Sequence, residues 1–287
     1  MYFPSAIFGL LLRSPQTIYS ILGVPLSDLP TLTNFASIRS NGSATAAEAS
    51  NANATLLEYM AKLVDQRLST PKDDLISLLV NEQLKHGHLS KDDVVQIAFL
   101  LLVAGNATMV NMINLGVVTL LQHPDQLEDL KKEPEKWTGK FVEELCRYHT
   151  ASALATKRVA KEDVVIGGKV VKKGEGIIAA TQSGNRDEEV FPNPDVFDMR
   201  RVRGKEDALG YGWGEHRCVA EWLARAELEI VFGELFPDLM FKLLLTPVLV
   251  ATLWEKVPNL KLAIPFEEVK YSPPTKDVGI TELPVVF

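Results

Sequence analysis

Tyr211-Gly-Trp-Gly-Glu-His-Arg-Cys218-Val-Ala-Glu-Trp222 is the stretch on which the reading of this chain turns. A glycine-containing loop, Leu209–Arg217, runs into a helix expected from about Val219 to Phe236, and Cys218 stands at the junction. A helix N-terminus favours a thiolate through its partial positive charge, and Gly212 and Gly214 let backbone N–H groups come close to the sulfur. The position suits a thiolate metal ligand. Taken alone, the same cysteine also suits a small buried hydrophobe. Cys146, in mid-helix between Leu145 and Arg147, has only that second reading.

The composition around this loop is that of a globular chain. In 287 residues, 46% are hydrophobic and 23% charged, which supports a packed core and excludes wholesale disorder. Thirty basic against 37 acidic side chains leave a net charge of −7, without the basic excess of a nucleic-acid surface. Two cysteines cannot build a disulfide framework or a close-spaced zinc site, so a reduced, intracellular setting is expected. Three N-x-S/T sequons begin at Asn41, Asn53 and Asn106, and none is expected to be glycosylated there. The uncharged stretches Met1–Leu12 and Leu243–Trp254 are each 12 residues, against the roughly 20 that span a bilayer, so no membrane span is expected.

Upstream, the first 50 residues hold scattered Pro and Gly and end in a small, polar run, Ser37–Ser50; helical periodicity resumes at Thr55–Leu68. The strongest helix signal is 90–122. Ser90 caps it with Asp93 in capping-box register, and His123-Pro124 stops it. From Val94 to Leu121 it is apolar almost all round, which predicts a core helix, interrupted by Gly105, Asn106, Thr108 and Asn111. Glycine in a helix interior costs about 1 kcal/mol, so Gly105 is a step that a core helix is not expected to carry without a reason. A second helix runs from Trp137 to about His149. Asp163–Ala180 reads as a small sheet with Gly turns, Asn185–Arg203 as Pro-rich irregular chain, and Asn259–Phe287 as short strands and turns. The fold class is mainly α with small β-sheets. Between two near-echoes, Glu234-Leu-Phe-Pro-Asp-Leu239 and Glu255-Lys-Val-Pro-Asn-Leu260, lies an apolar run with Pro247 and no amphipathic period, and an insertion of the retained-intron kind is expected near 237–254.

Four motifs then fall in one order: Ala104-Gly-x-x-Thr108, Glu144-x-x-Arg147, Phe197-x-x-x-Arg201 and the loop 209–218 with Cys218. The ordered set resembles the cytochrome P450 superfamily, with Tyr211 in place of the usual Phe and Ala220 where Gly is common. The resemblance implies a single partial P450 domain over 1–287, matching from about Gln16 and lacking the family's N-terminal third. It implies haem b with Cys218 as its axial thiolate, and Glu144, Arg147 and Arg201 as a buried triad that holds the irregular stretch. His216 and Arg158 would face the haem propionates.

Where oxygen-activating members carry Asp or Glu before the Thr, this chain has Ala107. Leu101–Met112, Phe141–Ala155 and Asp277–Phe287 look specifically like the fungal nitric oxide reductase branch. That resemblance implies NADH or NADPH handing hydride directly to the ferric-nitrosyl haem, with N2O as product and no redox-partner protein. Asn106 and Thr108 would line the pocket near the nicotinamide. Lys157 and Arg158 would offer charge to phosphates or propionates, and Ser152 and Asp277 would relay protons. With no G-x-G-x-x-G opening a helix, the NAD(P)H site is of a non-Rossmann kind. A partner-dependent monooxygenase and a truncated, inactive haem-binding fragment are the alternatives. The compartment is expected to be cytoplasmic or mitochondrial.

Overall fold

The computed structural model describes residues 13–40, 44–152, 157–202, 208–233, 257, 259–272 and 279–286. The segment 237–254 and Asp277 lie outside them, as does the side chain of Asn106. The chain divides into two compact units, with the boundary at Val110/Asn111.

The first unit is helical. Helices α1 (Arg13–Leu22), α2 (Leu29–Ser40) and α3 (Ala46–Ser69) are followed by α4 (Leu75–Leu79), which passes into a π-turn over Val80–Leu84. Helix therefore begins well before the expected periodicity at Thr55, and it occupies part of the small, polar run. The reason is tertiary: Ile18, Tyr19, Leu22, Leu29 and Leu32 pack against Leu56, Met60, Leu63 and Val64 of α3. Burial of an apolar face outweighs weak propensity. The start of α3 also has a local cause, a capping box in which Thr45 Oγ1 accepts from Glu48 N–H (3.2 Å) and Glu48 accepts from Thr45 N–H (2.8 Å).

One polar knot locks these helices. The Arg67 guanidinium donates to Asp74 Oδ2 (2.5 Å) and to the Gly23 carbonyl (2.6 Å), while Asp74 Oδ1 accepts from Ser77 N–H (2.8 Å) at the start of α4. Gly23 has φ +72°, and a Cβ there would fall on the Asp74 carboxyl, so no side chain is tolerated at that turn.

Helix α5 (Lys91–Gln122) runs through the unit boundary and is about 48 Å long at ~1.5 Å per residue. Its N-terminus is a capping box between Ser90 and Asp93. By length and composition alone it could cross a membrane. It is buried at Val94, Ala98, Leu102, Ile113, Leu115 and Leu120, among others, and the core helices of soluble proteins pass the same test. Gly105 is not forced by packing: a Cβ there would meet Ile18 at 3.5 Å, an ordinary contact. Gly116 is forced, since a Cβ would lie 2.5 Å from Phe232 Cζ.

The second unit holds α6 (Pro124–Lys132), α7 (Pro134–His149), a one-turn α8 (Thr181–Gly184) and α9 (Glu221–Phe232). Phe141 of α7 meets Phe197 and Phe232 edge-on, at centroid separations of 5.9 and 5.0 Å. Among the described residues this unit also has four two-stranded antiparallel sheets. They pair β1 (Lys157–Val159) with β4 (Gly176–Ile178), and β2 (Val164–Ile166) with β3 (Lys169–Val171). Further on, β5 (Lys261–Leu262) pairs with β8 (Val285–Val286), and β6 (Lys270–Tyr271) with β7 (Ile280–Glu282). The β2–β3 turn is Gly167-Gly168, both at positive φ, the conformation that a two-residue hairpin needs. The architecture is mainly α with small β-sheets.

At the end of α7, burial and then the charge of Arg186 push His149 down to about 3, so the ring stays neutral. Its Nε2 lies 2.7 Å from Thr119 Oγ1, whose own proton goes to the Leu115 carbonyl (2.7 Å). The imidazole is therefore the donor, protonated on Nε2.

Two outcomes follow. Asp74→Ala should lower urea-unfolding stability by about 3–5 kcal/mol, because it removes a helix cap and leaves a buried guanidinium unpaired. An unchanged urea midpoint would contradict that. For His149 the folded value lies below the unfolded one of about 6.5, so its contribution is complete above that pH and declines as pH falls toward about 3. The loss of thermal stability between about pH 7 and about pH 4 should accordingly be smaller in His149→Gln than in the parent.

Candidate functional site: a thiolate loop braced by a buried ion cluster

The loop is built on glycines that have to be glycines. Gly212 and Gly214 lie at φ +76° and +78°, a region that L side chains rarely enter. A Cβ on Gly210 would approach the Cys146 carbonyl oxygen to 2.9 Å, so the loop backbone lies directly on α7. The returning chain is closed by Cys218 N–H donating to the Tyr211 carbonyl (2.9 Å) and Arg217 N–H donating to that of Gly214 (3.0 Å). Helix α9 starts at Glu221, two residues later than expected, and Glu221 N–H donates back to the Cys218 carbonyl (3.2 Å).

Tyr211 serves as more than a substitute for Phe. Its hydroxyl lies 3.4 Å from Cys146 Sγ, and the Arg225 guanidinium stands 4.6 Å over its ring. Burial, and then the neighbouring Cys146, push the phenol well above its ordinary range, so it stays neutral. Glu221 is almost fully buried, and the hydrogen bond from Arg217 outweighs burial to hold its carboxyl below the usual range. Cys218 itself is exposed. Around it Trp213, Val219 and Trp222 are 73%, 84% and 78% exposed, an apolar rim of a kind that marks a surface made to be covered.

Behind the loop lies the ion cluster. Arg147 donates bidentately to Glu144, Nε to Oε2 at 2.8 Å and Nη2 to Oε1 at 2.7 Å. Arg201 Nε reaches both Glu144 oxygens at 3.2 Å. Arg147 spends its remaining donors on the carbonyls of Asn185 (2.8 Å), Pro194 (2.8 Å) and Val196 (3.3 Å). Arg201 donates to the carbonyls of Pro192, Asn193 and Val196. Glu144 also accepts from Asp198 N–H (3.1 Å). A cavity lined by Lys140, Glu144, Arg147, Phe191 and Arg201, among others, is walled by this cluster, and Cys218 does not line it.

Two polar residues that the motifs did not flag tie this cluster to its surroundings. Asn185, fully buried, donates to Thr150 Oγ1 (2.7 Å) and accepts from Leu209 N–H (2.7 Å), the first residue of the thiolate loop. Gln126 of α6 bonds the Phe197 carbonyl (3.2 Å) and Met199 N–H (2.8 Å). Single polar residues have no periodicity to betray them.

Of the remaining candidates, Lys157 and Arg158 lie on β1 with exposed side chains, His216 is exposed in the loop, and Ser152 is half-buried in the turn after α7. Thr108, in the first unit, donates its hydroxyl proton to the Ala104 carbonyl of its own helix (2.8 Å).

The glycine-built loop, its exposed cysteine and the braced irregular segment are the features by which the sequence resembles haem-thiolate proteins. The chain belongs to the cytochrome P450 family, whose sequence pattern matches residues 16–248. It is 62% identical over 268 residues to cytochrome P450 55A3 of Fusarium lichenicola, covering 93% of this chain and 61% of that protein. It is 36% identical to pentalenic acid synthase of Streptomyces avermitilis, covering 95% and 62%. Among solved structures, it is similar to the mycinamicin VIII C21 methyl hydroxylase MycCI of Micromonospora griseorubida, with a TM-score of 0.85 and 30% identity, covering 100% of this chain and 68% of that one. The chain thus spans about three-fifths of the length of the curated relatives it matches.

The residues present fit a haem. A single soft sulfur donor stands at an exposed turn within an apolar rim, and among the described residues no cluster of three His, Cys, Asp or Glu offers a rival metal site. Arg147→Lys keeps the charge but cannot reach both Glu144 oxygens and three carbonyls. It should cost at least about 3 kcal/mol in urea unfolding, and a loss well below that would show that the cluster is not essential.

Proposed function

We propose that this chain belongs to an NAD(P)H-dependent nitric oxide reductase, catalysing 2 NO + NAD(P)H + H+ → N2O + NAD(P)+ + H2O without a redox-partner protein. The observation that carries this reading is the central helix. Ala107 precedes Thr108 where an oxygen-activating site needs a carboxylate, and the surrounding strings resemble the fungal branch. The identity to the Fusarium P450 lies well above the 36% shared with the Streptomyces synthase, which is consistent with that branch.

Bound haem supplies the iron at which NO is held and reduced. Cys218 holds that iron through its thiolate, in an orientation set by the Gly212 and Gly214 turns. Lys157 and Arg158, exposed on β1, offer positive charge to the cofactor phosphates, and His216 and Arg158 to the haem propionates. By the resemblance Asn106 and Thr108 would serve the nicotinamide; Thr108 donates its own proton to the Ala104 carbonyl, which leaves its oxygen to accept. Ser152 and Asp277 relay the proton that the stoichiometry requires.

A second reading, partner-dependent monooxygenation, rests on relatives named as a synthase and a hydroxylase. The haem-loaded protein given NO and NADH or NADPH alone should form N2O. Formation of hydroxylated product only with O2 and an added reductase would establish the second reading, and neither activity would mark an inactive fragment.

A further inference from the structure

A second charged chain, separate from the Glu144 cluster, runs from the thiolate loop to α7. Arg217, the residue before Cys218, donates bidentately to Glu221, Nε to Oε2 at 2.5 Å and Nη2 to Oε1 at 2.7 Å. Glu221 Oε1 also accepts from Arg225 Nη2 (2.8 Å), and Arg225 Nη1 pairs with Glu143 of α7. The order is therefore Arg217, Glu221, Arg225, Glu143. Its central carboxylate is 4% exposed and shared by two guanidiniums.

The burial has a consequence. A carboxylate in that position is unfavourable unless both partners are held, and its removal would leave two cations facing each other. One of them adjoins the ligand in sequence. Arg217 lies in extended backbone (φ −55°, ψ 145°), where neighbouring side chains point in different directions, so fixing its side chain restricts where that of Cys218 can go. The pairing also commits that guanidinium to Glu221 of α9. Positive charge and donors drawn to a thiolate withdraw electron density from it, and this is a means by which surroundings tune a haem-thiolate potential.

We propose that Glu221 is a positioning residue for the Cys218 ligand: by clamping Arg217 along α9 it holds that guanidinium off the thiolate and so keeps the sulfur a strong donor. The proposal rests on Cys218 as the haem ligand and not on the nitric oxide reading, so failure of either leaves the other standing.

The test is the reduction potential of the haem-loaded protein, with thermal unfolding followed in parallel. Glu221→Gln should shift the potential positive, and Arg217→Gln/Glu221→Gln should return it most of the way to the parent value. Glu215→Gln, an exposed carboxylate in the same loop, should move it less than half as far. A double variant displaced as far as Glu221→Gln would remove Arg217 as the agent and overturn the proposal. So would a potential unchanged by Glu221→Gln. If Glu221→Gln fails to take up haem, Glu221→Asp, which keeps the charge but shortens the reach to Arg217, decides: a shift to higher potential supports the proposal, and no shift or a fall contradicts it.

Discussion

The buried pair of Glu144 and Arg147 is the constraint on which the second unit depends. Residues 185–201 contain two prolines, Pro192 and Pro194, and little regular structure, so their backbone carbonyls cannot be satisfied by a helix or sheet ladder. Arg147 and Arg201 supply the missing donors, and Glu144 compensates both charges. Neither side could be buried without the other. A guanidinium with its fork on a carboxylate and its remaining N–H groups on carbonyls is among the few ways to hold irregular chain rigidly in a core.

That rigidity is passed on to the thiolate loop. Asn185 takes its place beneath Arg147 and accepts from Leu209 N–H, so the loop starts from a fixed point. Gly210 then presses on α7, and Tyr211 meets Cys146. The positive-φ turns at Gly212 and Gly214 bring the chain round to Cys218. The ligand is thus referred back to α7 from both sides, through Asn185 before it and through Arg225 and Glu143 after it.

The sequence was most legible where chemistry imposes spacing. Glu144 and Arg147 are three apart because a helix then puts them side by side, and Ser90 with Asp93 announces the start of α5 for the same reason. It was least legible where burial decides. Helix α2 owes its existence to packing along α3 and has no amphipathic period to announce it, whereas α1 does carry one, with Ile18, Tyr19 and Leu22 on its buried face, and Thr45 and Glu48 stood in plain capping-box register. Asn185 and Gln126 had no local signal, because a buried polar residue with distant partners is recognisable only through what the fold brings to it, whereas Glu221 stands four residues from both Arg217 and Arg225, a spacing that does show in the sequence. Gly105 drew attention as a costly step in a core helix, but a Cβ there would meet Ile18 in an ordinary contact, whereas Gly116, unremarked, is the position where Phe232 leaves no room.

The most direct measurement of the central claim is the ferrous–CO absorption spectrum of this chain, expressed with haem supplied. The account predicts a red-shifted Soret band of the thiolate-ligated type that is lost in Cys218→Ser. A band of the neutral-ligand type in the parent, or one that survives Cys218→Ser unchanged, would contradict it.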